Sequence, residues 1–363
     1  MKEKWRVAVI GCGCFGCGVY LPNISKEANA ECVAVCDIVP ERASDAAERF
    51  GVKEWYSSVQ ELIKNCDFDI AIDSASIQAH HEINMAVLEA GKHLISQKPA
   101  APTVALFDKQ IALAKEKGVK FACAPIHPMR FDIAVAKQIM TSGGIGEPAY
   151  LKCNLAHGGP EYFQYRDADP SWFFEDGAGA LVDMGVHGLQ IVTTVFGPIE
   201  SIYCAGMITD TARRVRSGAY NGMQMKTDKI PDEYLITAKF KNGKMGFIDT
   251  GFSQKASKTP QLEIYGTRGT ISFTKPYMSN PMPEVYIDSD AIGMRGWITP
   301  ATWETVPEKL SSQCCCLKDI VRAIENDTEP VLNPQQARHI LEIMTKIPVA
   351  LNSGTVVKME TEF

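Results

Sequence analysis

Apolar positions divide the chain into two regions of different periodicity. Up to about residue 125, short and nearly continuous apolar runs (Trp5–Ile10, Glu31–Asp37, Phe68–Asp73, His93–Ser96, Lys120–Ala124) alternate with stretches of helical spacing. Such runs predict strands buried on both faces, and helices between them act as crossovers, which makes the sheet parallel. One crossover has both ends written in the sequence: Pro99 and Pro102 precede the helical run Val104–Lys117, and Gly118 follows it as a C-cap. From about residue 147 the strands are separated by turn signals instead: Ala149–Ala156, Ile199–Ala205, Tyr234–Phe240, Lys244–Thr250 and Gln261–Tyr265, with Lys241-Asn242-Gly243 as an Asn-Gly hairpin turn. They predict a mostly antiparallel open sheet. One helix over Gly177–Phe196 interrupts it, and helical segments near 313–326 and 334–351 close the chain, the last expected to pack back near the first region. The expected fold is an α/β doubly wound domain over residues 1–125 and an α+β domain over 126–363.

A length of 363 residues suits two domains, each able to bury its own core. Composition is ordinary for a globular chain, and a formal charge of -6 without a basic patch argues against nucleic acid or an anionic membrane as partner. The N-terminal apolar run stops at Gly11, too short for a secretory segment or a bilayer span, so a cytoplasmic location is expected. The twelve cysteines, several inside apolar runs (Cys32, Cys36, Cys123, Cys153), read as reduced, buried thiols. In Cys314-Cys315-Cys316, within a predicted helix, only some of the side chains are expected to share the buried face.

The first strand runs into Gly11-Cys12-Gly13-Cys14-Phe15-Gly16. Glycines in this order give a tight turn, a place where bare backbone can approach a pyrophosphate, and a close helix–strand contact, so Gly11, Gly13 and Gly16, with Cys14 and Phe15 between them, are candidate dinucleotide contacts. Asp37 ends the second strand, 21 residues after Gly16. A carboxylate there bonds the ribose hydroxyl and repels a 2′-phosphate, which favours NAD; the competing role is a turn or cap ahead of Pro40. Cys12, Cys14 and Cys17 could in principle grip a metal, but the same backbone serves the pyrophosphate, and a thiolate beside that dianion is disfavoured, so none is expected. A helix N-terminus is expected to lower a thiol pKa there when the cofactor is absent.

Two further segments carry chemistry: Leu88 to Pro99, ending Ser96-Gln97-Lys98-Pro99, and Gly179 to His187, which contains Asp183-Met184-Gly185-Val186-His187. With the glycine loop, they resemble the Gfo/Idh/MocA family of sugar and polyol oxidoreductases. The resemblance covers essentially the whole chain, with the motifs in order. It implies a cofactor role for Ala75, Ser76, His80, Gln97 and Lys98, where Ala75-Ser76 replaces the family's Thr-Pro and Gln97 its glutamate. It also implies substrate contacts near His127, Arg130 and Gln190, the last replacing an aspartate. An open sheet face in such a second domain commonly buries itself against another copy, so a homo-oligomer is expected.

Oxidising a secondary alcohol sends hydride to a nicotinamide while the hydroxyl proton leaves, so a base near neutral pKa and a cation beside the developing alkoxide both lower the barrier. His187 suits the base, Lys98 the cation, and Asp183, four residues before His187 and on the same helix face, an orienting role. Ahead of that helix lies an aromatic and polar loop with His157, Tyr162, Tyr165, Arg166, Asp169, Trp172, Phe173 and Asp176. Aromatic faces against C–H bonds and polar groups on hydroxyls suit a neutral sugar, glycoside or inositol. The reading is an NAD-dependent dehydrogenase of a ring hydroxyl, with C3 of a glucosyl unit suggested by the resemblance alone. Two alternatives stay open: an enzyme that recycles tightly bound NAD during elimination or hydrolysis, and a non-enzymatic NAD sensor.

Overall fold

Strands β1 (Trp5–Ile10), β2 (Ala30–Cys36), β3 (Glu54–Tyr56), β4 (Ile70–Asp73), β5 (His93–Ser96) and β6 (Phe121–Cys123) form a parallel sheet in the order β3-β2-β1-β4-β5-β6. The computed structural model of the protein describes residues 4–162, 169–274, 282–291, 293–301 and 312–363. Every residue of β4 is buried, and so is all of β1 except Arg6, as both-face burial demands of continuous apolar runs. Helices α1 (Ile24–Glu27), α2 (Pro40–Phe50), α3 (Val59–Asn65), α4 (His80–Glu89) and α5 (Val104–Lys117) make the crossovers. Helix α5 begins where the Thr103 hydroxyl accepts the Leu106 N–H and ends at Gly118, whose φ of +66° is left-handed. Exposed β3, too short to show a period, was not expected.

Contacts divide the chain into two units, one of Met1–Ile126 with Leu310–Leu341, the other of His127–Lys309 with Glu342–Phe363. Helix α8 (Cys316–Glu325) therefore belongs to the first unit, as does the first part of α9 (Pro334–Ser353). Cys314, Cys315 and Cys316 are all buried there, against the expectation of partial burial. The reason is local: Gln313–Cys315 is a tight 3-10 turn that changes to α-helix at Cys316, so the side chains are not spaced as on one regular helix.

In the second unit, α6 (Phe131–Thr141) precedes β7 (Pro148–Asn154), and α7 (Val186–Phe196) precedes β8 (Ile199–Met207). The remaining strands are β9 (Ala212–Arg214), β10 (Gln224–Lys226), β11 (Glu233–Phe240), β12 (Met245–Gly251), β13 (Leu262–Gly266), β14 (Gly269–Phe273), β15 (Glu284–Ser289), β16 (Met294–Ile298) and β17 (Val357–Lys358). Apart from the β9–β10 ribbon they form a nine-stranded sheet, β16-β15-β14-β13-β7-β12-β11-β8-β17, antiparallel except where β7 pairs β12. Helix α7 covers one face. Gly188 lets it approach closely, since a Cβ there would lie 3.3 Å from Ile248 Cγ2. The other face exposes Tyr203, Leu235, Met245 and Phe247. The helix expected over Gly177–Phe196 is divided: Leu181–Gly185 is a π-helical turn leading into α7. Among the described residues, no helix is long and apolar enough to cross a membrane.

Candidate active site

The order of the parallel sheet reverses between β1 and β4, the switch point where ligands of open α/β sheets bind. The glycine loop leaves β1 at that point. Gly11 has φ +94° and a Cβ on it would lie 2.5 Å from the Ala75 nitrogen, while one on Gly16 would lie 2.1 Å from the Gly11 carbonyl. Both positions need glycine for the protein's own packing. Gly13 differs, because a Cβ there meets no protein atom within 4 Å. A bare backbone facing open space is what a pyrophosphate requires, so the loop fits NAD. Cys14 is exposed beside it, and the half-buried Phe15 ring stands edge-on to Tyr20.

Asp37 serves the loop directly: its Oδ2 accepts the Cys12 N–H at 2.8 Å and its Oδ1 the Val39 N–H at 2.9 Å. The carboxylate thus ties the loop to the end of β2 and starts the turn into α2, and each oxygen keeps a further lone pair for a ribose hydroxyl. The thiols depart from expectation. Burial and the Asp37 charge push Cys12 up to about 12, and burial also raises Cys17, so the helix N-terminus does not lower either. Their sulfurs face the carbonyls of Cys36 and Cys12.

On the β4 side, Ser74 was missed by sequence reasoning. Its hydroxyl lies 2.8 Å from the Gly11 carbonyl and joins the ends of β1 and β4; its signal was a small polar residue directly after a buried strand at the switch point. Ala75 packs on Gly11 and gives its N–H to Asp73 Oδ1, and Ser76 is exposed. His80 is 1% exposed, with Nδ1 2.6 Å from Asp73 Oδ2. It supports the 74–79 loop from within rather than offering the cofactor surface expected of it, because burial and a carboxylate partner hold its ring. At the end of β5, Gln97 Nε2 donates to the Tyr20 hydroxyl at 2.5 Å, and the half-buried Lys98 follows it. Burial, reinforced by Cys316, pushes Tyr20 well up, so it meets the Gln97 amide as a neutral phenol.

In the second unit, Asp183 lies in the π-helical turn and His187 in the first turn of α7, both half-buried. The simple four-residue spacing of a regular α-helix therefore does not relate them; a π-turn, common at functional sites, intervenes. His157 Nε2 is 3.9 Å from Asp183 Oδ2, and its ring stacks on Phe252. Burial lowers the His157 pKa, against the pull of Asp183. His187 Nδ1 is 2.9 Å from Nε2 of His127. His127, Arg130 and Gln190, expected at the substrate surface, are all almost fully buried instead. The Arg130 guanidinium is engaged by Asp132, and Gln190 Oε1 accepts the His127 main-chain N–H, so they form the backing of His187.

Of the aromatic loop, Tyr165 and Arg166 lie outside the described residues. Trp172, half-buried, stacks on buried Phe173 with centroids 3.8 Å apart, and Phe173 meets Phe252 edge-on. Tyr162 lies under the Arg216 guanidinium. Asp169 caps the turn Pro170–Phe174 by accepting the Ser171 N–H, and Asp176 is exposed. His157, Phe252, Phe173 and Trp172 thus form one aromatic series beside Asp183.

Comparison with known families assigns both regions. Residues 5–124 match the model described as the oxidoreductase family with an NAD-binding Rossmann fold, and residues 133–272 match the GFO/IDH/MocA C-terminal domain. The chain belongs to the Gfo/Idh/MocA family. It is accordingly an NAD-dependent oxidoreductase. Among relatives of this family, levoglucosan dehydrogenase of Pseudarthrobacter phenanthrenivorans is 27% identical over 75% of this chain and 72% of its own. D-glucoside 3-dehydrogenase of Escherichia coli is 25% identical over 68% of this chain and 70% of its own. A solved levoglucosan dehydrogenase in complex with NADH, 22% identical, shares the fold with a TM-score of 0.83 over 99% of this chain and 100% of that one.

Proposed function

We propose that this Gfo/Idh/MocA protein oxidises a secondary ring hydroxyl of a sugar or glycoside to a ketone, with C3 of a glucosyl unit as the preferred carbon. The observation that carries the reading is the set of half-buried polar groups on the second unit, Asp183, His157 and His187, next to the aromatic series through Phe252, Phe173 and Trp172. Aromatic faces suit sugar C–H bonds, and the polar groups suit its hydroxyls. The names of the glucoside 3-dehydrogenase and levoglucosan dehydrogenase relatives support the same substrate class. In this reading Gly11, Gly13, Gly16 and Asp37 hold NAD, which supplies the hydride acceptor when bound, and Lys98 and His187 assist removal of the hydroxyl proton while Asp183 orients the sugar.

The test is NADH formation over a panel of glucosides, free hexoses and inositols, followed by NMR of the product. Glucosides oxidised to 3-keto products are the expected result; an inositol preference moves the substrate to polyols. A blank panel in which glycosides are nonetheless cleaved transfers the reading to an enzyme that recycles its NAD, and NAD binding without any turnover to a sensor. We also infer a homo-oligomer formed through the open face of the nine-stranded sheet, where Tyr203, Leu235, Met245 and Phe247 are exposed. Phe247→Asp is expected to lower the mass measured by light scattering to that of a single chain. The free cysteines suit a reducing cytoplasm.

A further inference from the structure

His187 is backed by a chain of buried groups whose hydrogen-bonding capacity is fixed. Asp132 holds Arg130 with two bonds, Nε to Oδ1 at 2.9 Å and Nη2 to Oδ2 at 2.5 Å, and Arg130 Nη2 also reaches Gln261 Oε1 at 3.3 Å. Asp132 Oδ1 accepts the Ile133 N–H as well. Arg130 Nη1 then lies 3.4 Å from Nδ1 of His127. His127 itself is wholly buried, with its main-chain N–H on Gln190 and its ring edge-on to that of His187.

A guanidinium only donates, so His127 Nδ1 must present its lone pair to Arg130. Burial, together with the neighbouring His187 and the Arg130 charge, keeps the His127 pKa well below the usual imidazole value, so the ring carries a single proton. With Nδ1 taken as acceptor, that proton sits on Nε2 and is donated to His187 Nδ1 across 2.9 Å. The lone pair of His187 Nδ1 is thereby occupied, and neutral His187 carries its own proton on Nε2. For His187 to receive a proton on Nε2, its Nδ1 would have to bear the other one, His127 would have to reverse its tautomer, and an N–H would then face the Arg130 N–H in a buried place.

We propose that Asp132, Arg130 and His127 form a tautomer lock that holds His187 in its Nε2–H form, so that His187 donates a hydrogen bond to the substrate oxygen and is not the group that takes the hydroxyl proton. The proposal rests on the reading above that His187 faces substrate. In the oxidation, the O–H proton passes to solvent, NAD, when bound, would take the carbon-bound hydrogen with its electron pair, and the C–O bond becomes a carbonyl. His187 begins and ends the step with its single proton on Nε2. His127 and Arg130 touch no reacting atom in this scheme and are positioning residues, and His187 is a donor in it where the sequence suggests a base.

The experiment is long-range proton–nitrogen NMR on protein labelled with 15N-histidine and saturated with NAD, with kinetics of three variants. The lock predicts a pyridine-type Nδ1 and a pyrrole-type Nε2 for His187. It predicts a loss of this single tautomer in His127→Phe, with kcat falling tenfold or more and KM nearly unchanged. His127→Gln, whose amide can still donate to Nδ1, restores most of the loss. His187→Gln, which donates but cannot act as a base, keeps at least tenfold more activity than His187→Leu. A protonated Nδ1 on His187 in the parent protein overturns the lock, even if the variants do not fold. Equal activities of His187→Gln and His187→Leu overturn the donor role. If no alcohol is oxidised by the parent protein while the tautomer is as stated, the lock stands and the reading as a dehydrogenase fails.

Discussion

In the six-stranded sheet, the central strands are buried on both faces and ligand chemistry gathers at their ends; in the nine-stranded sheet, β11 and β12 alternate buried and exposed residues, and chemistry gathers beside the helix on one face. The two regions therefore make their sites from different material. The cofactor loop is backbone packed on backbone, Gly11 against Ala75 and Gly16 against Gly11, and tied down at Cys12 by the Asp37 carboxylate. The second region is side chain held by side chain, with His187 on His127, His127 on Arg130 and Arg130 on Asp132. A side-chain site depends on each member for the next.

The sharpest test of that contrast is chemical. Lys98→Ala should lower kcat by about 10²- to 10⁴-fold, the usual reach of a group that moves a proton, while NAD affinity read by fluorescence titration changes little. A parallel loss of NAD binding would place Lys98 with the cofactor loop instead. Next in size, Arg130→Met leaves the Asp132 carboxylate buried without its partner, and denaturant unfolding should show a loss of about 3–5 kcal/mol. A neutral result would mean that the second region is not chained as described.

The glycines divide the first region itself. Gly16→Ala forces a Cβ to within 2.1 Å of the Gly11 carbonyl and should destabilise the fold by about 1–3 kcal/mol. Gly13→Ala meets no protein atom and should leave the melting temperature alone, yet weaken NAD binding about tenfold, which is about 1.4 kcal/mol. Equal effects of the two on NAD and on stability would erase the distinction between packing glycines and the ligand glycine.

The smallest effect concerns a carboxyl pair on the open side of the second sheet. Burial and the adjacent Asp249 carboxylate push Glu233 up to about 7, against the hydrogen bond it accepts from Ser253. The folded chain thus holds a proton that the unfolded chain has released above the ordinary carboxylate value of 4.5, so stability is fullest below that value and falls as pH rises through about 7. Glu233→Gln should flatten that decline in thermal unfolding followed across the same range. An unchanged slope would show that the pair does not share a proton.

How far the sequence reached can be seen at particular residues. Strands β1 and β5 and helix α5 have the expected limits, because continuous apolar runs, the Thr103 hydroxyl and the left-handed Gly118 act locally. Strands β3, β14, β15 and β16 and helix α6 were not anticipated: short or half-exposed segments form strands only because a neighbour supplies the hydrogen bonds, as β15 does for both β14 and β16. The three adjacent cysteines were misjudged because a 3-10 turn, visible only in the packed chain, buries them all.

What the sequence determined by itself was the cofactor and the class of chemistry. The Gly-x-Gly-x-x-Gly spacing and Asp37 lie within one βαβ unit, where chain connectivity alone brings them to the same strand ends. What only the tertiary structure decided was the place of each group: that His80 supports a loop, that Arg130 and Gln190 are buried, that Ser74 joins β1 to β4, and that Nε2 of His127 meets Nδ1 of His187. His127 and His187 are 60 positions apart in the chain, and no local pattern records which of their ring nitrogens face each other. That is fixed by the packing of α7 and by the buried guanidinium of Arg130, which can only donate.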